Sequence, residues 1–369
     1  MNNIYHGSIK HSLIFTKEPM QGETREYEIH RIPGIIVTKK DTVIVYCEAR
    51  TKVPNHRYPT SFADYNLMDI YMRRSTDGGE TFSDPIYLAR GDENQSGYAC
   101  VNNPVMIVGN DNTIHLLYCR DYSLCGGGLW YRRSVDDGIS WSEPREITNF
   151  EGELGYKYSA FAFGPTHGIS TDSGALICGV WEVCADECEV ITNHWPSRTH
   201  VCYSIDNGES WHLTKDNNFA YELNSNETSL SLLSDRKSFI INARNKPGRR
   251  ATRRYFNFPD GPMDEGILHP DLTDPACCGG CISVDIKGLP FALLYVGCNS
   301  ETTRENVTVK CSFDNGETYP LSLPISGKDM GGYCDIAVNS EGKVFVIWED
   351  HGGASDHLTT FSFADEFIK

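Results

Sequence analysis

The chain runs to 369 residues, 40% of them hydrophobic and 11% aromatic, ample material for a large core. No stretch of about 18 apolar residues occurs, so no membrane-spanning helix is expected. Its 50 Asp and Glu against 33 Lys and Arg leave a net charge of −17, which argues against nucleic acid or anionic membrane as partners.

The N-terminal stretch MNNIYHGSIKHSLIF lacks the long apolar segment of a signal peptide. The expectation is that the chain either stays inside the cell or has had its signal removed. Six short apolar runs follow: Thr42–Cys47, Ile114–Cys119, Ala175–Trp181, Ser238–Arg244, Phe291–Val296 and Val344–Glu349. Each is rich in β-branched or aromatic residues and reads as a strand. An Asp-rich turn follows the first, second, third and fifth runs. These are Ser75-x-Asp77-x-Gly79-x-Thr81-Phe82, Ser134-x-Asp136-x-Gly138-x-Ser140-Trp141, Ser204-x-Asp206-x-Gly208-x-Ser210-Trp211 and Ser312-x-Asp314-x-Gly316-x-Thr318-Tyr319. Asp bonds the backbone, Gly takes positive φ, and the aromatic is an apolar pin. Arg254–Gly261 looks like a decayed copy after the fourth run, and the sixth leaves no room for one. A unit of about 50–60 residues with several strands is a propeller blade, and six fill the chain. The expectation is an all-β, six-bladed β-propeller, one domain over residues 1–369, with His11–Phe15 pairing into the last blade.

Other features have plain readings. The basic run Lys246 to Arg254 is expected to be a solvated loop or strand edge. Of 14 cysteines, many lie in apolar runs as core thiols. Cys277, Cys278 and Cys281, with Cys184 and Cys188, offer no clean four-ligand zinc set, so no metal is expected. Disulfides stay open if the protein is secreted. Glycosylation sequons begin at Asn94, Asn226 and Asn306.

The four Asp-rich turns are similar to the Asp-boxes of the sialidase superfamily. His30-Arg31-Ile32-Pro33-Gly34 resembles that family's (F/Y)RIP motif, with His for the aromatic. Further matches run in order: Glu48-Ala49-Arg50, Asp64 ahead of Met68-Asp69-Ile70, Asn103-Pro104, Gly164-Pro165-Thr166-His167-Gly168-Ile169, Asn226-Glu227-Thr228, Asn242-Ala243-Arg244, Arg304-Glu305-Asn306, Tyr333-Cys334-Asp335 and Trp348-Glu349. They cover about residues 30 to 350 and resemble the retaining exo-sialidases of glycoside hydrolase family 33.

The resemblance implies an enzyme without cofactor, acting on the terminal sialic acids of glycoconjugates. Arg31, Arg244 and Arg304 match a triad that clamps the substrate carboxylate, work suited to a permanently charged multi-donor group. Glu349 matches the acid that holds the first arginine. Tyr333 matches the nucleophile and Glu227 its base. A phenol near pKa 10 needs such a partner. A carboxylate nucleophile, by contrast, would be repelled by the substrate's own charge. Asp64 matches the general acid/base, with Asp69 its rival on a strand-like stretch. Arg50 matches a contact to the sugar's O4 hydroxyl, and Asn103 matches its partner in that contact, a position where many relatives have Asp before Pro. Met68, Phe161 and Trp181 are weak candidates for an acyl pocket. The alternatives are a hydrolase for Kdn or Kdo, a trans-sialidase, or a sugar-binding propeller without turnover.

Overall fold

The computed structural model describes residues 9–15, 25–52, 64, 66–91, 100–121, 127–147, 150–156, 158–183, 196–214, 224–245, 248–350 and 355–368. Cys184, Cys188 and the Asn94 sequon lie outside the described residues.

Six antiparallel sheets follow one another along the chain, and these form the six blades of a β-propeller. The innermost strands, blades 1 to 6, are Ile29–Val37, Val101–Val108, Ala160–Phe163, Thr228–Leu232, Gly280–Val284 and Cys334–Val338. The six apolar runs become the second strands: Val43–Arg50, Ile114–Arg120, Leu176–Val183, Phe239–Ala243, Ala292–Cys298 and Lys343–Asp350. These strands are buried along nearly their whole length because a neighbouring blade covers each face. A strand covered on both faces reads as a continuous apolar run rather than an alternation. The core is accordingly a set of wedges between adjacent blades, such as Val43, Val45 and Cys47 of blade 1 against Ala337, Phe345 and Ile347 of blade 6.

Blade 6 takes its outer strand from the other end of the chain. Lys10–Phe15 pairs antiparallel with Ser355–Ser362 and closes the ring, as expected for this segment.

The Asp-rich turns connect the third and fourth strands of their blades. In blade 2 the Ser134 hydroxyl donates to Asp136 Oδ1 at 2.8 Å and accepts the Gly138 N–H at 2.8 Å. Asp136 also accepts the N–H and hydroxyl of Ser140. The other three turns repeat the pattern. Their glycines lie against other blades: Gly138 against Ile44 and Met72, Gly208 against Tyr131 and His115. Strand register puts Val43 opposite Ser75 and Arg50 opposite Met68. The Asp-rich turns therefore occupy one end of the blades, and Arg31 and Arg50 the other.

The basic run differs from its sequence reading. Arg249–Tyr255 is the third strand of blade 4, and Arg250 is fully buried. Its guanidinium donates to Asp274 Oδ2 at 2.6 Å, Asn242 Oδ1 at 2.6 Å and the Cys277 carbonyl at 2.7 Å. The side chain faces the next blade, where Asp274 meets it, so solvation is replaced by an ion pair. Breaking such a buried pair costs about 3–5 kcal/mol.

Candidate active site

The inner strands bring their first residues to one end of the axis, and local irregularities aim the side chains. In blade 1 the register slips between Arg31 and Gly34, with Ile32 at φ 59. Pro33 has no N–H to give the ladder, so the strand bulges there. Gly34 is required next, because a Cβ would sit 2.1 Å from the Tyr46 ring. Blade 2 repeats the device: its register slips between Asn102 and Val105, with Asn103 at φ 50 ahead of Pro104. In blade 4, Asn226 and Glu227 pair with Arg244 just beyond the ladder. The Asn226 Oδ1 also accepts the Glu227 N–H at 2.8 Å.

Tyr333, immediately before the inner strand of blade 6, is the centre of the constellation. Its hydroxyl donates to Glu227 Oε1 at 2.5 Å and accepts from Arg244 Nη1 at 2.8 Å. Arg244 Nη1 also donates to Glu227 Oε2 at 2.7 Å. The Cζ atoms of Arg31 and Arg304 lie 5.0 and 5.1 Å from the centre of the Tyr333 ring. Glu349 ties this group together. Its Oε1 accepts Arg31 Nε at 2.7 Å and the Ile32 N–H at 2.8 Å, and its Oε2 accepts the Tyr333 N–H at 3.1 Å. Among the described residues, Arg304 has no carboxylate partner and is exposed.

Electrostatics fix the resting protonation. Burial and the charge of Glu227 push the Tyr333 phenol well above its ordinary value, against the pull of Arg244, Arg304 and Arg31. The phenol is therefore neutral at rest. Burial opposes the charge on Arg31, yet Glu349, Tyr333 and Asp64 hold its pKa well above the ordinary value.

A second group adjoins the first. Arg50 is fully buried and donates through Nη1 to Asp64 Oδ1 at 2.5 Å. The Asp64 side chain is 40% exposed. Asn103 is nearly fully buried; its Nδ2 donates to the Phe163 carbonyl at 3.1 Å, and its Oδ1 has no hydrogen-bond partner among the described residues. The structure thus brings Arg31, Arg244, Arg304, Glu227, Tyr333 and Glu349 together, sets Asp64 and Arg50 beside them, and turns the Asn103 amide inward.

Other candidates fall elsewhere. Asp69 is buried and accepts from Arg25 Nη1 at 2.5 Å, the Tyr27 hydroxyl at 2.5 Å and the Gly91 N–H at 2.8 Å. Met68, Phe161 and Trp181 are core residues. His30 is enclosed by Phe15, Tyr27 and Tyr71. Asn226 is fully buried and has no room for a glycan. Two residues that stand in the matched motifs without an assigned role prove to be structural. Asp335 accepts the Ile35 N–H and the N–H and Nδ1 of His167, bolting blades 1, 3 and 6 across the axis. Glu48 sits fully buried behind Arg50. Its signal was available: a glutamate closes the apolar runs of blades 1, 3 and 6, at Glu48, Glu182 and Glu349.

The model of the BNR repeat-like domain matches residues 61–258, more than half of the sequence. The chain belongs to the BNR repeat-like family. This BNR propeller is 23% identical over 344 residues to a sialidase of Bacteroides fragilis, covering 86% of the chain and 59% of that protein. Among solved structures it resembles the Hadza microbial sialidase Hz136, with TM-score 0.74, 22% identity and coverage of 92% and 66%. It also resembles a Trypanosoma rangeli sialidase in complex with 2,3-difluorosialic acid, a covalent intermediate, with TM-score 0.72, 18% identity and coverage of 96% and 59%. The BNR propeller therefore spans about 59% of the length of the Bacteroides relative.

Proposed function

We propose that this propeller is a retaining exo-α-sialidase acting on terminal sialic acids of glycoconjugates, the whole chain serving as one catalytic domain. The observation that carries the reading is the contact of 2.5 Å between the Tyr333 hydroxyl and Glu227 Oε1, set among three guanidinium groups. A lectin needs the cations but has no use for a phenol poised on a base.

Around Tyr333, Arg31 is matched by Glu349 and Arg244 by Glu227, whereas Arg304 has no carboxylate partner among the described residues. That leaves one positive charge for one substrate carboxylate. In the first step the sugar's carboxylate binds Arg31, Arg244 and Arg304. The Tyr333 oxygen attacks the anomeric carbon while its proton passes to Glu227. The glycosidic bond breaks, and Asp64 gives a proton to the departing oxygen. In the second step Asp64 takes a proton from water, the resulting hydroxide attacks the anomeric carbon, and the Tyr333–carbon bond breaks. Glu227 returns the proton to the phenol. Two inversions give net retention. Coupling proton loss to attack is necessary because burial keeps the resting phenol neutral.

The Trypanosoma rangeli enzyme holds 2,3-difluorosialic acid as a covalent intermediate. The same inactivator tests this chain. Fluoride leaves from C2, and mass spectrometry of the digested protein is expected to find one 3-fluorosialyl adduct, on Tyr333. Absence of an adduct, or an adduct on a carboxylate, would overturn the mechanism. Proton NMR of the first-released anomer checks retention independently.

A further inference from the structure

We propose that Glu48 is a positioning residue for this reaction: it fixes Arg50 and Asn103 and, through Arg50, governs how readily Asp64 gives up its proton. The inference rests on the reading of the pocket given above. Its basis is an internal repetition. Glu349 lies on the second strand of blade 6 and accepts the N–H of Ile32, the left-handed residue before Pro33 in blade 1. Glu48 lies on the second strand of blade 1, opposite Arg31 in register. It accepts at 2.6 Å the N–H of Asn103, the left-handed residue before Pro104 in blade 2. The two glutamates therefore make the same contact one blade apart.

They differ in the arginine each one holds. Glu349 takes Arg31 Nε from the next blade. The residue at the equivalent point of blade 2, Asn102, carries no charge. Glu48 instead takes Arg50 from its own strand, with Nε at 2.9 Å and Nη2 at 2.5 Å from Oε2. The remaining arm, Nη1, reaches Asp64. One guanidinium thus spans two carboxylates, one sealed and one partly open to solvent. A carboxylate paired with a guanidinium favours its ionised form. The share of Arg50's charge taken by Glu48 is charge not available to hold Asp64 ionised. Burial pushes the Glu48 carboxyl up against the pull of Arg50 and the Asn103 N–H; among the described residues the other titratable groups around it are Asp64 and the thiols of Cys47, Cys100 and Cys119, and Asp64 also acts on Arg31.

Glu48→Gln keeps the shape and removes the charge. Arg50 then favours ionised Asp64 more strongly, and the acid is lost at lower pH. The test is kcat/KM against pH for two α-sialosides, one with a 4-methylumbelliferyl leaving group and one with lactose. Lactose needs the proton and the aryl group hardly does. At pH 7 the variant is expected to lose about tenfold on sialyllactose and less than about threefold on the aryl glycoside. The basic limb for sialyllactose should move to lower pH. Equal losses with an unmoved limb would overturn the proposal. Should Glu48→Gln fail to fold, Glu48→Asp retains the charge and is expected to keep the basic limb in place; a shift there would overturn it. Wild-type protein inactive on both sialosides would refute the sialidase reading instead. The positioning role is then decided by the ¹⁵N resonance of Arg50 Nε. It should move in Glu48→Gln and stay in Glu349→Gln, and an unmoved resonance in the former would overturn the proposal.

Discussion

Replacing Tyr333 by Phe separates chemistry from binding. The change deletes one oxygen that makes two contacts, donating to Glu227 at 2.5 Å and accepting from Arg244 at 2.8 Å. The ring keeps its position over Arg31 and Arg304, each about 5 Å from its centre. Those two cations remain to hold a carboxylate, and a phenyl face still attracts them. Affinity for free sialic acid should therefore change by no more than about threefold, which is below about 1 kcal/mol. On the proposed mechanism turnover loses its nucleophile, and the drop in kcat should be at least about 10³-fold, or about 4 kcal/mol. Stability should fall by about 1–3 kcal/mol, since buried Glu227 loses a donor. The assay pairs steady-state hydrolysis of an aryl sialoside with calorimetric titration of sialic acid. A variant within tenfold of wild-type kcat would refute the nucleophile. A loss of binding as large as the loss of rate would refute the separation of roles.

Three further outcomes are expected. Arg304→Ala should lower kcat/KM by about 10- to 150-fold, one charge-assisted contact, with the melting temperature unchanged because no carboxylate is orphaned; unaltered kcat/KM would remove Arg304 from the clamp. Asp136→Asn tests the Asp-rich turns. The hydroxyl and N–H of Ser140 hold this carboxyl at about 2, below its ordinary 3.8, so its stabilisation is complete above about pH 4 and is lost as pH falls through 2. Denaturant midpoints should show a gap to wild type at pH 5 that narrows as pH falls towards 2; a gap independent of pH would refute the linkage. Gly208→Ala should destabilise by about 1–3 kcal/mol more than Gly174→Ala. Both have positive φ, but the new Cβ would lie 2.4 Å from the Tyr131 hydroxyl at Gly208 and 4.0 Å from Asn110 at Gly174. Equal losses in chemical denaturation would mean that the blade contact carries no weight.

The blades were legible because their second strands are enclosed on both faces and so carry uninterrupted apolar runs. The Asp-rich turns were legible because each closes on itself within a few residues. The inner strands gave a weaker signal: in blades 1 and 2 they slip at Pro33 and Pro104, which breaks the alternation of a regular strand. Arg250 was misread because its partner Asp274 lies on the connection to the next blade, and local charge density says nothing about a distant carboxylate. The role of Glu48 was not legible for a similar reason, since its contact with Asn103 forms between blades. Pairings within one turn can be read from spacing. Pairings across an inter-blade wedge depend on the closed ring.

That distinction bears on how the pocket stays rigid. Tyr333 belongs to blade 6, Arg31 to blade 1, Glu227 and Arg244 to blade 4, and Arg304 to blade 5. No blade holds the constellation alone, so its geometry is a property of the wedges between blades. Glu349 is the clearest case: one carboxylate orients Arg31 and the backbone of Ile32 in blade 1 and Tyr333 in blade 6. It sits on the strand that pairs with Ser355–Ser362, which in turn pairs with Lys10–Phe15. The closing strand from the N-terminal end therefore supports the sheet that fixes two of the central groups. Cross-blade carboxylates such as Glu349 convert tight packing of the ring into side-chain alignment. A chain with a net charge of −17 can thereby keep a cluster of guanidiniums in register, because each buried cation in it is held by an acid placed before any ligand arrives.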